Sequence, residues 1–524
     1  FNKENEERTR DIIKERYPGL RVSVSSKINP RFREYERMVV TAFDAYIGPV
    51  MDHYITKLNT SLAEIGVKNS LQLMQSRGGV TSSSMCSERP VLTLLSGPAA
   101  GVIGAKQIAQ ETGRKNILTL DLGGTSNDVS LIQNGETKLF TDGKIGNYPC
   151  RQAMMDISTI GAGGGSIAWV DGGGWLRVGP HSAGSFPGPA CYGKGGTEPT
   201  YTDASLIMGY LRPDYFAGGE VALNAELSRN AIQEKVADVL NMELYDAASA
   251  IHKIMHNQMA DQVRLATVKR GYDPRSFSVV ASGGAGPIAA CSLLKLLGFK
   301  EVIVPPTPGV MAALGLLSAD IEHEEVVTFA AKIDEADLDE LKAAIEEGKQ
   351  LCGQERINVG ISEDLMKTTY SAEMRYVGQS YELEIPFPEA AGVLDRASME
   401  TVKERFHERH EHVYKHAFRN LQIEFTAVRI LISQKPVPTP KMEKVREGDW
   451  GVPADKRRTY FDECKGWMEC DVYNRQDLAA SQVIIGPAIV EQTDTTILIY
   501  PDQKAMVDQW GNLIVTMMEP CRTM

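Results

Sequence analysis

From Glu34 to about Gly66 apolar residues recur every three or four positions (Val39, Phe43, Tyr46, Ile47, Val50, Met51, Tyr54, Leu58, Leu62), which predicts one long helix. The same period predicts helices over residues 5–17, 225–240, 245–270 and 399–418, with a charged helix over 336–351. A further helix is predicted after Pro287, ending at Leu297. Short apolar or alternating runs predict strands at 20–25, 71–75, 117–120, 129–132, 137–140, 278–281 and 302–305, and a strand pair within 374–385. Asn134-Gly135 between two of these runs is a two-residue hairpin signal. The stretch from Gly161 to Gly196 is so dense in glycine that it reads as loop, not as ordinary strands. After about Pro436 the texture turns to Pro, Val, Ile and Thr and reads as β-rich.

The length of 524 residues exceeds a single core. The texture divides the chain into 1–30, the end of a domain; a core over 31–325; a connecting α/β region over 326–440; and a β-rich domain over 441–524. The opening, Phe1 followed by a charged dozen, reads as a cut within a longer polypeptide. No run of apolar residues is long enough for a transmembrane helix, so no membrane partner is expected. The formal charge of −12 argues against nucleic acid as a partner. Eight scattered cysteines, with no C-x-x-C pair, read as reduced thiols in a cytoplasmic setting.

The clearest candidate chemistry lies in Leu118-Thr-Leu-Asp-Leu-Gly-Gly-Thr-Ser-Asn-Asp-Val-Ser-Leu131. A strand ends in Asp121 and turns on Gly123-Gly124, where backbone amides can approach a phosphate with no Cβ in the way. Thr125 and Ser126 add hydroxyls, and Asp128 returns a second carboxylate. Two carboxylates and two hydroxyls suit a Mg2+ that keeps several waters and bridges to phosphate oxygens. The bland alternative is a hairpin with a polar tip. Two further glycine clusters weigh against it: Gly161, Gly163, Gly164, Gly165 and Ser166, preceded by Asp156, and Gly283, Gly284 and Gly286 between a strand and a helix. Either cluster on its own also fits mere close packing of backbones. No Walker A and no G-x-G-x-x-G after a strand occurs, which disfavours P-loop and Rossmann readings.

Other features stay open. Asp203 reads equally as a third carboxylate near the clamp or as part of a helix cap. Cys191 is a poor candidate nucleophile, and His407, His410, His412 and His416 read as a solvated helix face in preference to a metal face.

Asp121–Val129 resembles the second phosphate motif of the actin/hexokinase/Hsp70-like (ribonuclease H-like) ATPases, and Ser282–Pro287 resembles their adenosine motif. Several stretches together resemble the hydantoinase A/oxoprolinase family: Met74-Gln-Ser-Arg-Gly-Gly-Val80, Ser96–Gly101, Gly161–Asp171, Pro187–Gly193, Gly196–Thr200, Arg270–Pro274, Tyr376-Val-Gly-Gln-Ser-Tyr-Glu-Leu383 and Gly486–Glu491. The resemblance implies an α/β, actin-like ATPase core followed by a C-terminal α+β, β-rich region. It implies an ATP-binding subunit of a cyclic-amide hydrolase that phosphorylates a carbonyl oxygen, working beside a hydantoinase B-like subunit. The matching subunit of an ATP-dependent ketone carboxylase is the alternative, and an actin-like nucleotide-binding scaffold is a third. ATP and Mg2+ are the implied cofactors: Asp121 and Asp128 as metal ligands, Thr125 and Ser126 on phosphate, and the glycines at 161–165 and 283–286 lining the nucleotide. The family's first phosphate loop has no counterpart here, so a segment or chain carrying it is an expected partner.

Overall fold

The computed structural model describes residues 3–31, 33–140, 143–388, 395–437 and 443–519. They form two compact units, each gathered from three segments: 1–99, 139–155 and 318–439, and 100–138, 156–317 and 440–524. The linear division drawn from sequence texture follows neither unit.

The second unit is built on a nine-stranded mixed sheet. Its strands are β1 (Ile117–Leu122), β2 (Asn127–Gln133), β3 (Ile157–Ile160), β4 (Ser278–Ser282), β5 (Glu301–Val304), β6 (Val483–Ile485), β7 (Gln503–Val507) and β8 (Leu513–Met517) in the order β3-β2-β1-β4-β5-β8-β7-β6, with Glu136–Thr137 beside β2. At its centre β1, β4 and β5 run parallel, and their side chains are buried throughout, apart from Asp121. The β2 turn has φ of 52° at Asn134 and 83° at Gly135, the left-handed pair that an Asn-Gly hairpin turn requires. Helices α1 (Tyr201–Ile207), α2 (Leu244–Ala266) and α3 (Gly286–Leu297) belong to this unit. A four-stranded sheet from Asp455 to Ile499 shares its core: Ile489, Leu498 and Ile499 sit in one apolar cluster with Leu120, Val279 and Ile288. The C-terminal β-rich residues therefore complete the second unit, which they enter both through that core and through β6, β7 and β8.

The first unit has a six-stranded sheet, Gln72–Met74, Val80–Ser82, Ile321–Lys332, Ile423–Gln434, Lys367–Tyr376 and Leu383–Pro386 in spatial order. Helices Leu338–Val359 and Arg396–Tyr414 contribute Leu341, Ile345 and Phe406 to its core. The helix predicted from Glu34 runs Glu34–Glu64. Two expectations fail locally. Residues 20–24 form no strand; Arg21 and Ser23 instead bond Asp52 (2.7 Å) and Asp44 (2.6 Å) on that long helix, and a four-residue helix, Ser25–Ile28, follows. The glycine-dense stretch does hold a hairpin, Ser166–Val170 with Leu176–Ser182. Its glycines supply the turn, where the Asp171 carboxylate accepts the amides of Gly173 and Trp175, both at 3.0 Å. No helix among the described residues is long and apolar enough to cross a membrane.

Candidate functional site

β1 and β4 are parallel, and both end at one edge of the sheet, the edge at which open α/β sheets place ligands. Asp121, next to last in β1, stands opposite Asp128 on β2 and lies level with Ser282 on β4. Burial pushes the Asp121 carboxyl up to about 6; the neighbouring Asp128 charge adds to this, and a hydrogen bond from Ser282 opposes it. Burial also raises Asp128, against a short hydrogen bond from the Thr159 hydroxyl. No basic side chain pairs with either carboxylate among the described residues.

Between them, Gly123-Gly124-Thr125-Ser126 turns the chain, closed by a bond from the Gly123 amide to the Ser126 carbonyl (3.1 Å). The amides of Gly124, Thr125 and Ser126 have no protein acceptor among the described residues. The second glycine cluster behaves differently. Gly164 and Gly165 donate their amides to the carbonyls of Gly123 (2.9 Å) and Gly124 (2.7 Å), and Gly163 donates to Ser166 Oγ (2.8 Å). A Cβ at Gly163 would lie 2.5 Å from the Thr125 nitrogen. This bend is a clasp that packs backbone on backbone; its amides are spent on holding the turn. Thr202 locks it in place with its amide (2.9 Å) and hydroxyl (2.8 Å) on the Gly164 carbonyl, while Gly161 abuts Pro180.

The third cluster packs as closely. Gly283 has φ of +80°, donates to the Pro308 carbonyl (2.9 Å), and would place a Cβ 2.2 Å from the Leu122 oxygen and 2.7 Å from Asp121 Oδ1. Only glycine fits there. Gly284 keeps its amide unpaired among the described residues and takes a bond from Thr495 Oγ1 (2.7 Å) on its carbonyl, and Gly286 opens helix α3.

The three clusters share one cavity of about 410 Å³, within the usual range for small-molecule sites. Of the residues predicted from sequence, Gly123, Gly124, Gly164, Gly165 and Gly284 form its wall. Thr125 and Ser126 in the turn, and Asp121 and Asp128 on the strands that flank it, do not line the cavity. The rest of the wall includes Tyr192, Arg212, Tyr215, Phe216 and the segment 491–496. Arg212 stacks over Tyr215, 5.2 Å from its centroid, and reaches Glu491 at 3.5 Å. Asp494 in the turn between two C-terminal strands accepts the Gly309 amide (2.7 Å). Sequence reasoning missed these residues; the one signal for the C-terminal group was the Gly486–Glu491 stretch, which ends at the cavity.

A profile described as hydantoinase/oxoprolinase matches residues 37–325, and one described as the hydantoinase/oxoprolinase C-terminal domain matches residues 329–516. The chain belongs to the hydantoinase/oxoprolinase family. It is 36% identical to an uncharacterised protein of Methanocaldococcus jannaschii, over 97% of this chain and 74% of the relative. It is 33% identical to the caprolactamase alpha subunit of Pseudomonas jessenii, over 97% of this chain and 73% of that one. The solved structure of that ATP-dependent caprolactamase superposes with a TM-score of 0.84 at 32% identity, covering 99% of this chain and 75% of the other. A nucleotide-free acetone carboxylase, solved for its ATP-dependent carboxylation, also gives 0.84, at 29% identity and the same coverages. The fold is the mixed α/β, actin-like ATPase fold of these enzymes.

Within this family member several candidate residues prove structural. Asp203 is fully buried and closes a capping box with Thr200 at the start of α1, while also accepting the amides of Ala190 (3.2 Å) and Cys191 (2.8 Å) and the Ser228 hydroxyl (2.6 Å). It is a hub that ties the start of α1 to the 190–192 turn and to the helix Ala225–Ile232, with its oxygens occupied by these donors. Cys191 is buried, and desolvation with the nearby Asp203 charge drives its thiol far above the nucleophilic range. His407 and His410 are not solvated: they are 3% and 1% exposed and bond the Tyr376 hydroxyl (2.8 Å) and the Gln379 side chain (3.0 Å). Only His412 and His416 face water. No group of three or more His, Cys, Asp and Glu suited to a metal occurs among the described residues. The Asp121–Asp128 pair nevertheless fits a cation of the Mg2+ type, which needs one or two carboxylates and fills its remaining positions with water and phosphate oxygens.

Proposed function

We propose that this chain is the ATP-binding subunit of a cyclic-amide hydrolase. The observation that carries the reading is the turn at 123–126, whose amides at 124–126 find no protein acceptor among the described residues and which joins two half-buried carboxylates, Asp121 on β1 and Asp128 on the antiparallel β2, that have no basic partner there. Such an arrangement is unstable on its own account and is relieved by a cation and an anionic group bound together. Asp121 and Asp128 would hold Mg2+ with its waters. Thr125 and Ser126 would offer hydroxyls, and Gly124, Thr125 and Ser126 amides, to phosphate oxygens. Gly123, Gly164, Gly165 and Gly284 would line the nucleotide, with Gly161, Gly163 and Ser166 shaping the clasp, and Gly283 and Gly286 setting the approach of helix α3. Bound ATP supplies a phosphoryl group for a carbonyl oxygen, which turns a poor electrophile into one with a good leaving group.

Relatives named as subunits support a complex, and we infer a hydantoinase B-like partner that completes the hydrolysis. The acetone carboxylase superposition supports the second reading, in which the same cavity serves the ATP-dependent carboxylation of a ketone. The test is the complex incubated with ATP and, separately, a lactam, a hydantoin, 5-oxoproline, or acetone or acetophenone with bicarbonate. ATP consumption coupled to an amide substrate supports the hydrolase; coupling only to a ketone with bicarbonate replaces it by the carboxylase. ATP binding with no coupling to either class would leave a scaffold.

A further inference from the structure

Thr159 on β3, Asp128 on β2, Asp121 on β1 and Ser282 on β4 stand at one level across neighbouring strands. Residues opposed in this way point to the same face of a sheet, with Cβ atoms about 4.5–5.5 Å apart, and like charges so placed weaken the pairing. The row therefore brings two carboxylates together, with a hydroxyl-bearing residue at each end.

The two ends differ in burial. Ser282 is buried, so its hydroxyl depends on partners inside the protein. Thr159 is exposed, and water could serve its hydroxyl equally well. It donates instead to Asp128 Oδ1 at 2.5 Å, the length of a charge-assisted bond. Among the described residues Asp128 Oδ2 accepts no hydrogen bond, so the carboxylate is held by one oxygen and open at the other. The backbone on either side is pinned as well. Gln262 of α2 donates to the carbonyls of Ser158 (2.5 Å) and Asn127 (3.2 Å), the residues that precede Thr159 and Asp128, and accepts the Asn127 amide group (2.7 Å). This keeps the hydroxyl and the carboxylate in register. The terminal torsion of an aspartate is otherwise broad, and a partner that fixes a ligating carboxylate spares the metal that ordering.

We propose that Thr159 is a positioning residue for the cation of the nucleotide site, holding Asp128 by Oδ1 so that Oδ2 meets the metal. The inference rests on the reading of Asp121 and Asp128 as the pair that holds Mg2+ with ATP. The test titrates Mn2+ into the complex with a saturating non-hydrolysable ATP analogue, and follows free Mn2+ by electron paramagnetic resonance. The natural chain is compared with Thr159→Val, Thr159→Ser and Asp128→Ala. Thr159→Val keeps the shape and loses the donor, so Mn2+ should bind about tenfold more weakly, whereas Thr159→Ser keeps the donor and should stay within about twofold. Metal-free binding of the analogue and the melting temperature should not change in either variant, which a merely structural hydroxyl would not combine with a selective loss of metal. Mn2+ affinity that is equal in the natural and Thr159→Val chains, or lost equally in Thr159→Val and Thr159→Ser, while Asp128→Ala binds weakly, would overturn the role of Thr159 and leave the metal site standing. Affinity unchanged even in Asp128→Ala, or no saturable Mn2+ binding at all, would overturn the metal site and this inference with it.

Discussion

In the unit that carries the large cavity, Asp121 and Asp128 face each other with hydroxyls for company and, among the described residues, no basic partner. In the other unit, Glu324 and Glu373 share Arg429, at 2.7 Å and 2.6 Å, and each has a further arginine, Arg77 and Arg31 respectively. Both sets of acids are desolvated, yet their proton affinities move in opposite directions. Burial raises Asp121 and Asp128, with the Asp128 charge adding to the rise at Asp121, whereas the arginine charges outweigh burial and hold Glu324 and Glu373 below the usual range. The difference separates architecture from readiness. Where each charge is answered inside the protein, the network holds strands together; where it is left unanswered, the fold carries a cost that a ligand can relieve.

The largest expected effect lies in the answered network. Arg429→Ala leaves two buried carboxylates without their shared partner and should cost about 3–5 kcal/mol in urea unfolding of the full chain. A loss under about 1 kcal/mol would mean that these acids are no more dependent on their partners than surface pairs are. The unanswered pair should respond with the opposite sign. Asp121→Asn removes one of two repelling charges and should stabilise the ligand-free chain at pH 7.5 by on the order of 1 kcal/mol. The same change should lower ATP-coupled turnover of the complex about 100-fold or more. Stability and activity falling together would place Asp121 in the structural class.

The glycine clusters sharpen the contrast within one unit. Gly163→Ala drives a methyl group into the backbone of the turn and should cost about 1–3 kcal/mol. Gly124→Ala meets nothing within 4 Å and should stay within about 0.5 kcal/mol in thermal melts. Equal costs would dissolve the distinction between clasp and open turn.

The smallest effect is a pH dependence. Asp121 in the folded chain holds its proton up to about 6, above its unfolded value, so between those values the folded state binds more protons than the unfolded one. Stability conferred by this site is present at low pH, declines as pH rises from about 4 to about 6, and is flat beyond. Melts of the natural chain and Asp121→Asn should therefore diverge across that window and run parallel above it.

Much of the geometry of the candidate site was legible in the residues. The strand ending in Asp121, the Gly-Gly turn and the return through Asp128 follow from local pattern, because hairpin register is set by neighbours in sequence. The convergence of 161–166 and 283–287 on that turn was also readable, since close backbone packing leaves glycine as its trace. The division of labour among the clusters was not: whether a glycine amide faces a ligand or a carbonyl depends on register between segments some forty residues apart. Arg212, Tyr215 and the 491–496 segment were hidden for the same reason, and the C-terminal strands looked like a separate domain because their edge partners lie about two hundred residues upstream. His407 and His410 misled because Glu and Arg interleave with them on a helix whose inner face the pattern alone did not fix.

The most direct test is calorimetric titration of ATP with Mg2+ into the complex and its Asp121→Ala variant. One nucleotide site per chain is expected, with affinity for the Mg2+ complex reduced at least tenfold in the variant. Equal affinity in the two proteins, or a variant that binds more tightly, would contradict the claim that the unanswered carboxylates exist to hold the metal and its nucleotide.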